Sequence, residues 1–326
     1  KAPLVATSAV TSEGLDKLVA LIDQMVGEAP PRQDKGRPRL SIDRAFTISG
    51  FGTVVTGTLV DGELRVGQEM EMVPGGQRTR IRGLQSHGTR VEAIGPGTRT
   101  AANLVGLEPG EIYRGQMLTT PGWLRPTFAA DIRLRIIPNS PSPVRHNRQV
   151  TFHSFAAETT GRVRLLDAQE LKPGEEGWAQ VRLDNPLPLL RGDFFIIRST
   201  VGTLGGGQVV DAYAIRHRRH HVPTLERLEA LADGTASEVL LSSLEGARPL
   251  SLGELLQRTG LGREQASAAL DELRAAEAVA ILDGGGGNPV LLSLAGWQRL
   301  ADQAREALEN YHRQFPLRRG GPKEEL

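Results

Sequence analysis

The sequence predicts a multidomain protein in which two all-β domains are followed by an α+β part with winged-helix repeats. Three observations lead to this fold class. The chain has 326 residues, enough for two or three domains of about 100–200 residues each. Between residues 37 and 217, short strand-like segments alternate with glycine and proline turns. After residue 217 the apolar residues recur at helical spacing.

The first thirty residues predict a short strand followed by an amphipathic helix. Leu4–Ala6 form an apolar run, and in the segment 15–26 the apolar residues share one helical face. A lone strand and helix cannot bury a core, so we expect residues 1–30 to end a compact domain whose other elements lie upstream. The segment 29–36 contains two prolines, polar residues and a glycine, a composition typical of a linker.

Two stretches, 37–123 and 124–217, are typical of all-β domains. Many short strands with no helix between them predict a closed barrel or a sandwich. In the first stretch the predicted strands are Arg39–Ile48, Gly52–Leu59, Glu69–Met72, Arg78–His87, Arg90–Ile94, Arg99–Leu104 and Met117–Thr119. In the second they are 127–137, 148–155, 159–168, 176–184, 193–198 and 206–214. The glycine-rich run 202–207 favours a turn or bulge, because phosphate-binding loops precede a helix.

The segment 222–298 predicts a winged helix-turn-helix domain, and residues 299–326 are expected to start a second winged helix. The predicted helices are 225–231, 237–244, 252–259, 263–275 and 294–315. Thr259–Gly262 supplies the tight turn between two of them. Two predicted strands, 279–282 and 289–292, flank the tetraglycine 284–287 and form the wing.

Composition and motifs exclude several classes of function. A net charge of +1 means that no overall basic field points to a nucleic-acid partner. The absence of cysteine excludes disulfides, thiolate metal sites and cysteine nucleophiles. No apolar stretch reaches 18 residues, so no membrane span is expected. The sequence also contains no GxxxxGK[ST] phosphate loop. We therefore expect no catalytic residue, no metal ligand and no cofactor bound by these residues.

One basic run, residues 216–221, contains three arginines and three histidines. The arginines would repel a divalent cation, and no carboxylate within the run compensates, so a metal site is not expected here. Two interpretations remain. The run is either a solvated linker between domains or a contact with nucleic-acid phosphates through Arg216, Arg218 and Arg219.

Several segments resemble known proteins. Residues 42–58, IDRAFTISGFGTVVTGT, resemble the second-domain signature of translational GTPases, and 97–104 and 111–118 are similar to two further segments of that domain in elongation factor Tu. Within that superfamily, the first run resembles bacterial selenocysteine-specific elongation factors. HSFAAETTGRVRLLD and RGDFFIIRSTVGTLGGGQVVD resemble their third domain. In the same comparison Ser8 and Ala9 match the last guanine-nucleotide motif of a GTPase domain, where they would face the guanine base.

This resemblance implies two β-barrels like domains II and III of elongation factor Tu, preceded by the strand-helix remnant of an α/β GTPase domain. It implies a cytoplasmic factor that binds selenocysteyl-tRNA and delivers it to the ribosome at recoded UGA codons. GTP and Mg²⁺ would be bound by the GTPase domain upstream, and an mRNA hairpin by further winged helices beyond this chain. Without the phosphate loop, this chain is not expected to hydrolyse GTP alone.

The resemblance also assigns candidate binding residues. Asp43, Arg44 and Arg99 match the positions proposed to line the selenocysteyl pocket. Two guanidiniums favour a selenolate over the neutral hydroxyl of serine, and Asp43 would orient them by bidentate hydrogen bonds. We expect Arg44 and Arg99 within a few ångströms of each other in a cleft of the first barrel. The alternative is an ordinary ion pair at a strand edge. Arg114 either binds a tRNA phosphate or pins a loop.

Two other functions stay open on the sequence alone. The chain could be a two-barrel and winged-helix module that binds RNA or protein without a nucleotide cycle. It could also belong to a related GTPase that delivers another aminoacyl-tRNA. Asp43, Arg44 and Arg99 separate the selenocysteine hypothesis from ordinary elongation factors, provided that the pocket forms.

Overall fold

The computed structural model describes residues 3–29, 34–50, 52–245, 248–283 and 289–318. The chain forms two compact units, residues 1–34 and residues 35–326. No helix in the described part of the chain is long and apolar enough to cross a membrane.

The first unit is built around helix α1 (Leu15–Glu28). Gly14 before the helix has a φ of 74°, and a Cβ there would lie 2.2 Å from the carbonyl oxygen of Ala6, so only glycine permits this close approach. The predicted strand Leu4–Ala6 is wrong: these residues form no strand, because no neighbouring strand in the described part of this unit supplies hydrogen-bond partners. The apolar face of α1 is exposed within the unit: Leu15, Val19, Ile22, Met25 and Val26 are 37–70% accessible.

The second unit begins with a six-stranded barrel. Its strands and their short neighbours are β1 (Arg39–Ile48), β2 (Gly52–Asp61), β3 (Leu64–Arg65), β4 (Glu69–Val73), β5 (Arg78–Ser86), β6 (Thr89–Val91), β7 (Ala93–Ile94), β8 (Arg99–Leu104) and β9 (Met117–Thr119). The order β4-β9-β1-β2-β8-β5 closes because β4 also pairs with β5, while β6 extends from β5 and β3 pairs with β7. All pairings are antiparallel. The predicted all-β domain is therefore confirmed as a closed barrel.

Alternation along these strands places one set of side chains inside the barrel and the other outside. The inward set forms a continuous apolar core that includes Leu40, Ile42, Val55, Leu59, Leu84, Ala102, Leu104 and Leu118. The predicted limits of β1, β8 and β9 are confirmed, whereas the predicted strand 90–94 is divided into β6 and β7 at Glu92.

A second closed barrel follows. Its elements are β10 (Thr127–Ile136), β11 (Val144–Arg145), β12 (Arg148–Ser154), β13 (Ala157–Leu165), β14 (Glu170–Leu171), β15 (Glu176–Leu187), β16 (Phe194–Arg198) and β17 (Thr203–Asp211). The barrel order is β10-β15-β13-β12-β16-β17. Gly202 precedes β17 and residues 203–207 belong to it; the pairing with β16 skips Leu204, so the predicted bulge is present in this run. A Cβ at Gly207 would lie 1.9 Å from the carbonyl oxygen of Arg133, so glycine lets two strands approach closely there.

A buried ion cluster joins the two barrels. The side chain of Arg39 in β1 is fully buried and donates to Asp61 at 2.7 Å and, bidentately, to Asp193 at 2.8 Å. Asp61 ends β2 of the first barrel, and Asp193 precedes β16 of the second. Lys35 donates to the carbonyl oxygen of Arg191 at 2.5 Å beside this cluster. One buried guanidinium thus bonds to a carboxylate from each barrel, and Lys35, 3.7 Å from Asp193, adds the second positive charge.

The C-terminal part contains α2 (Val222–Asp233), α3 (Ala236–Leu244), β18 (Leu250–Ser251), α4 (Leu252–Thr259), α5 (Arg263–Ala275), β19 (Val279–Asp283), β20 (Pro289–Ser293) and α6 (Leu294–Gln314). The three strands form one sheet in the order β18-β20-β19. From α3 to β20 the element order is the one that the sequence predicts for a winged helix, apart from the two-residue strand β18, which was not predicted. The tetraglycine 284–287 and residues 319–326 lie outside the described residues, and the proposed domain limit at 298/299 falls within α6.

Local sequence explains the helix ends in this part. Thr235 and Ser251 each accept a hydrogen bond from a backbone N–H three residues on, where a glutamate completes a capping box. Gly260 ends α4 with a φ of 66°, which forms the tight turn before α5. Leu228 and Leu231 of α2 pack against apolar residues of the second barrel, so the helical part is docked on that barrel.

Candidate functional site

The outer face of the first barrel carries an irregularity at Asp43. In the β1–β2 pairing Ile42 lies opposite Gly57 and Arg44 opposite Thr56, so Asp43 is an extra residue in β1, as in a β-bulge. A Cβ at Gly57 would lie 2.0 Å from the carbonyl oxygen of Ser41, so glycine is needed where β2 passes the bulge. Because of the bulge, Arg44 lies opposite Thr56 and is exposed, whereas regular alternation from the buried Ile42 would point Arg44 into the barrel.

Asp43 binds Arg99 across β2. Nη2 of Arg99 donates to Oδ1 of Asp43 at 3.0 Å, and Nη1 donates to Oδ2, which makes the pair bidentate. Thr56, on the strand between them, donates its hydroxyl to Oδ1 at 2.9 Å. The side chain of Asp43 is 22% exposed and that of Arg99 is 52% exposed. The guanidinium is thus held in one orientation while part of its surface faces solvent.

The charges of Asp43, Arg99 and Arg44 together make this site positive. Burial alone would raise the pKa of Asp43, but hydrogen bonds from Arg99 and Thr56 and the charges of Arg99 and Arg44 outweigh it, so the pKa lies below its usual value. The hydrogen bond to Asp43 in turn raises the pKa of Arg99. At neutral pH one carboxylate therefore faces two guanidiniums, one fixed and one, on Arg44, exposed.

A groove of about 410 Å³ lies on the same face of the barrel. Arg99, Ala101 and Asn103 alternate outward along β8, and Ala101 lies opposite Thr56. The groove residues are Ile48, Val54, Val66, Arg82, Gly83, Leu84, Gln85, Arg90, Val91, Glu92, Ala101 and Asn103. Its lining is mainly apolar with a few charged side chains, which is the composition of a small-ligand site.

The structure therefore brings Asp43 and Arg99 into direct contact and adds Thr56, which sequence reasoning missed; none of Asp43, Arg44 and Arg99 is among the residues that line the groove. Thr56 shares the outward face of β2 with Val54, so period-2 alternation would have found it once β1, β2 and β8 were aligned. Arg44 acts on Asp43 through its charge, and its distance from Arg99 stays a prediction.

Arg114 lies at a second cleft, of about 350 Å³, whose lining comes from both barrels. Gly115 beside it has a φ of 96°, and a Cβ there would lie 2.6 Å from Cα of Ala157 in the second barrel. Arg114 is exposed and contributes to the wall of this cleft together with Tyr113 and Glu158. A side chain in this place can reach a ligand that spans both barrels.

The basic run 216–221 is packed against the second barrel and is not a solvated linker. His217 is buried, with Nε2 2.7 Å from Oδ2 of Asp131. Arg219 donates to the carbonyl oxygens of Leu165, at 3.1 Å, and Ala168, at 2.7 Å. Arg216 and Arg218 are exposed. The run thus divides into residues that hold the chain on the barrel and residues that face solvent.

Ser8 and Ala9 lie in the loop before α1. Ser8 is half-buried, its hydroxyl accepts from the N–H of Thr11 at 3.2 Å, and its own N–H donates to the carbonyl oxygen of Glu13 at 3.0 Å. Ala9 is exposed. In the described part of the chain, no group of three or more His, Asp or Glu side chains is placed to hold a metal ion.

The comparisons with known proteins agree with the two barrels. Residues 52–119 match the family model of elongation factor Tu domain 2, and residues 131–216 match that of the β-barrel domain of selenocysteine-specific elongation factors. Tandem barrels of these two kinds define the class: the protein is related to the translation elongation factors.

Individual relatives narrow the class further. The selenocysteine-specific elongation factor of Desulfomicrobium baculatum is 37% identical over 333 residues, which cover 100% of this chain and 51% of that protein. That of Escherichia coli (strain K12) is 30% identical over 247 residues, or 74% of this chain and 38% of the relative. A crystal structure of bacterial selenocysteine-specific elongation factor EF-Sec has the same fold, with a TM-score of 0.74 at 21% identity over 97% of this chain and 49% of its own. The chain belongs to the selenocysteine-specific elongation factors and spans about half the length of these relatives.

Proposed function

We propose that the protein binds selenocysteyl-tRNA and delivers it to the ribosome at recoded UGA codons in a GTP-dependent manner. One observation carries the proposal. Arg99 is held bidentately by Asp43, with Arg44 beside the pair, on the same barrel face as a groove of about 410 Å³. The groove would take the aminoacylated 3′ end of the tRNA, and the arginines would meet the amino-acid side chain.

The charge of the side chain is the basis of discrimination. A selenol is substantially ionised at neutral pH, whereas the hydroxyl of serine is neutral. A selenolate at about 4 Å from one guanidinium gains about 1 to 4 kcal/mol, depending on how much water screens the pair, and serine gains no such attraction. Because 1.4 kcal/mol corresponds to a tenfold ratio, the net positive charge that Arg99 and Arg44 leave beside Asp43 is sufficient for useful selectivity.

Thr56 and Asp43 are the residues that keep Arg99 in place. A free arginine on a barrel surface samples many rotamers and loses entropy when it binds a ligand. With two contacts to Asp43, and with Asp43 itself held by Thr56, most of that loss has already occurred in the unliganded protein. The pair thus presents a preorganised guanidinium to a ligand.

The residues of this chain do not fit GTP and Mg²⁺ by themselves. The sequence has no phosphate loop, and the described residues offer no carboxylate cluster for a metal ion. We propose that GTP and Mg²⁺ are bound through a GTPase domain and that Ser8 and Ala9 contact the guanine base. On this basis residues 1–30 would end that domain, residues 37–123 and 124–217 would be the tRNA-binding barrels, and residues 222–298 and 299–326 would be winged helices.

The proposed partners follow from the same assignment. Arg114, Arg216, Arg218 and Arg219 are proposed tRNA contacts, although the guanidinium of Arg219 already donates to two backbone carbonyls. The ribosome would be the site of delivery, an mRNA hairpin would bind through further winged helices, and the protein would act in the cytoplasm.

The test compares selenocysteyl-tRNA with seryl-tRNA for binding to the full-length protein with GTP. We expect the wild type to prefer selenocysteyl-tRNA, and Arg99→Ala or Arg44→Ala to reduce that preference at least tenfold. Arg145→Ala is the matched control, since Arg145 is an exposed arginine of the second barrel in an ion pair with Glu170. Equal affinities of the wild type for the two tRNAs would contradict the proposal. They would also favour a factor for another aminoacyl-tRNA or an RNA-binding module without a nucleotide cycle.

A further inference from the structure

A buried glutamine, Gln116, supports the loop that carries Arg114. Gln116 is fully buried, whereas Tyr113 and Arg114, which precede it, are exposed. Oε1 of Gln116 accepts a hydrogen bond from the backbone N–H of Tyr113 at 2.8 Å, and Nε2 donates to the carbonyl oxygen of Pro74 at 2.7 Å. A single side-chain amide therefore ties the start of the loop to the turn at Pro74.

The backbone of the same loop is held on two further sides. Ile42 of β1 donates its N–H to the carbonyl oxygen of Gln116 at 2.9 Å and accepts from the N–H of Gly115 at 2.9 Å. Gly115 also lies against the second barrel, since a Cβ on it would be only 2.6 Å from Cα of Ala157. The loop is thus fixed to both barrels, and a change in its position requires these contacts to break.

Arg114 itself does not hold the loop. Its side chain is exposed at the cleft of about 350 Å³, and it makes no hydrogen bond or ion pair with the residues that the structure describes. Pro74 and Tyr113, the two residues that Gln116 joins, also line this cleft. The two roles considered for Arg114 are therefore divided between two residues: Gln116 pins the loop, which leaves the guanidinium of Arg114 for a ligand.

The charges of the cleft make the position of this guanidinium decisive. Arg114 is positive and Glu158 is negative in the same lining, and Nδ1 of His153 lies 3.5 Å from the carboxylate of Glu158. An anion is therefore favoured only close to Arg114. An arginine loses rotamer entropy when it binds a ligand, and a loop that became ordered only on binding would add backbone entropy to that loss. Gln116 avoids the second loss, because it already fixes the loop in the unliganded protein.

We propose that Gln116 is a positioning residue for tRNA binding: it fixes the loop 113–116 so that Arg114 meets a phosphate of the tRNA in this cleft. Arg114 makes the contact through charge-assisted hydrogen bonds, and Gln116 acts only through Arg114. The inference rests on the proposed function, in which Arg114 is a tRNA contact. It adds a residue that touches neither the tRNA nor the aminoacyl group.

The experiment is a double-mutant cycle on the affinity of the full-length protein, with GTP, for selenocysteyl-tRNA. Arg114→Ala should weaken binding about tenfold and lower the slope of log K against log salt by about 1, as for the loss of one phosphate contact. Gln116→Met, an apolar side chain of similar size, should weaken binding about threefold to tenfold and lower the slope as well. In the Arg114→Ala background, Gln116→Met should change the affinity by less than about twofold, because the residue that it positions is already removed.

Thr79→Val is the matched control for the loss of a buried hydrogen bond. Thr79 is a buried residue of the same barrel whose hydroxyl donates to the carbonyl oxygen of Val105 at 2.9 Å, and it is not among the residues that line the cleft. Like Gln116→Met, it should lower the urea midpoint of unfolding, but the affinity and the salt slope should stay as in the wild type. Urea denaturation of every variant also shows that the protein is folded under the conditions of the binding measurement.

Three results would overturn the inference. The affinity could be unchanged in Gln116→Met. The loss could be the same in the Arg114→Ala background as in the wild type, which would mean that Gln116 only stabilises the fold. Arg114→Ala could leave both affinity and slope unchanged, which would also contradict Arg114 as a tRNA contact.

The preference for selenocysteyl-tRNA over seryl-tRNA is measured in the same variants and should not differ from that of the wild type. The bond between Ile42 and Gln116 beside Asp43 uses backbone atoms, which Gln116→Met retains. A wild type without that preference would contradict the proposed selectivity, whereas the cycle between Arg114 and Gln116 would still report on the positioning role. The two failures are therefore distinguishable.

Discussion

The two barrels use arginine in opposite ways on their outer faces. On the first barrel, Arg99 is tied to Asp43 by two hydrogen bonds and presents one oriented cation beside a groove. On the second, Arg162 and Arg182 lie opposite each other, and no described residue forms an ion pair with either. A paired arginine gives positional accuracy at short range, whereas unpaired arginines give attraction that extends about 8–10 Å in physiological salt. The first arrangement orients a cation at short range, and the second leaves two like charges adjacent on the surface.

The two outer faces keep a fixed geometry only if the barrels stay in the same positions relative to each other. The buried ion cluster at Arg39 holds the barrels together. Asp61 and Asp193 belong to different barrels and share one guanidinium. The same cluster reaches the helical part, because Arg191 donates to the carbonyl oxygens of Leu231 at 2.7 Å and Thr259 at 3.1 Å.

The largest effect is expected from breaking this junction. Arg39→Ala removes the guanidinium from two buried carboxylates and leaves Asp193 only Lys35, at 3.7 Å, and the N–H of Leu190, which should lower the free energy of unfolding by about 3–5 kcal/mol. Urea denaturation followed by circular dichroism measures it. Arg80→Ala is the control, since Arg80 and Glu69 form an exposed ion pair worth less than about 1 kcal/mol. A loss of under 1 kcal/mol in Arg39→Ala would mean that the junction does not hold the barrels together.

An intermediate effect is expected from the pH dependence of the same junction. Burial lowers the pKa of Lys35. The charges of Asp193 and Asp61 raise it by less, so the pKa is about 8. The unfolded chain then binds more protons than the folded chain between about pH 8 and the ordinary value of 10.5, so stability should rise with pH in that window. The rise attributable to Lys35 is on the order of 1–3 kcal/mol.

The measurement is the urea midpoint between pH 7 and pH 10.5, compared with Lys35→Met. Subtracting the variant removes the contribution of the other titrating groups. If the two curves run parallel across the window, Lys35 is not desolvated in the way that its surroundings indicate.

The smallest expected effect compares one hydrogen bond in each of the two barrels. Thr56→Val removes the hydroxyl that donates to Asp43, and Thr160→Val removes the equivalent bond to Asp184 in the second barrel. Each should lower stability by about 0.5–1.5 kcal/mol. Only Thr56→Val should also reduce the preference for selenocysteyl-tRNA over seryl-tRNA, by roughly threefold to tenfold, since only that hydroxyl supports the Asp43–Arg99 pair. A change of preference in Thr160→Val of the same size would remove the distinction.

Much of the fold was predictable because strand alternation is a local property. β1, β8 and β9 begin and end where the sequence predicts, and α4 and α5 do too. The wrongly predicted strand and the strands that were not predicted have physical reasons. Leu4–Ala6 are apolar and look like a strand, yet a strand exists only beside a partner. The short strands β3 and β11 have two residues each, too few for a periodic signal.

The candidate site was predictable only in part. Its three charged residues came from resemblance to known sequences, and the bidentate contact between two of them is seen only in the structure. Thr56 was missed because nothing in its own neighbourhood marks it. The adjacency of Arg162 and Arg182 was missed for a similar reason: they lie twenty residues apart in sequence, and their charges become adjacent only through the β13–β15 register.

The sequence by itself determined most of the secondary structure, the order of the two barrels and the helical part, and the family, since periodicity, turn residues and motif spacing are all written along the chain. Tertiary structure alone decided which charges meet. Hydrogen-bond registers bring Asp43 to Arg99 and Arg162 to Arg182, and the first pair is neutralised in part while the second is not. Coulomb energy depends on distance in space. In a chain with 34 arginines and a net charge of +1, the fold therefore places one arginine in an oriented ion pair and leaves two others adjacent without an ion pair among the described residues.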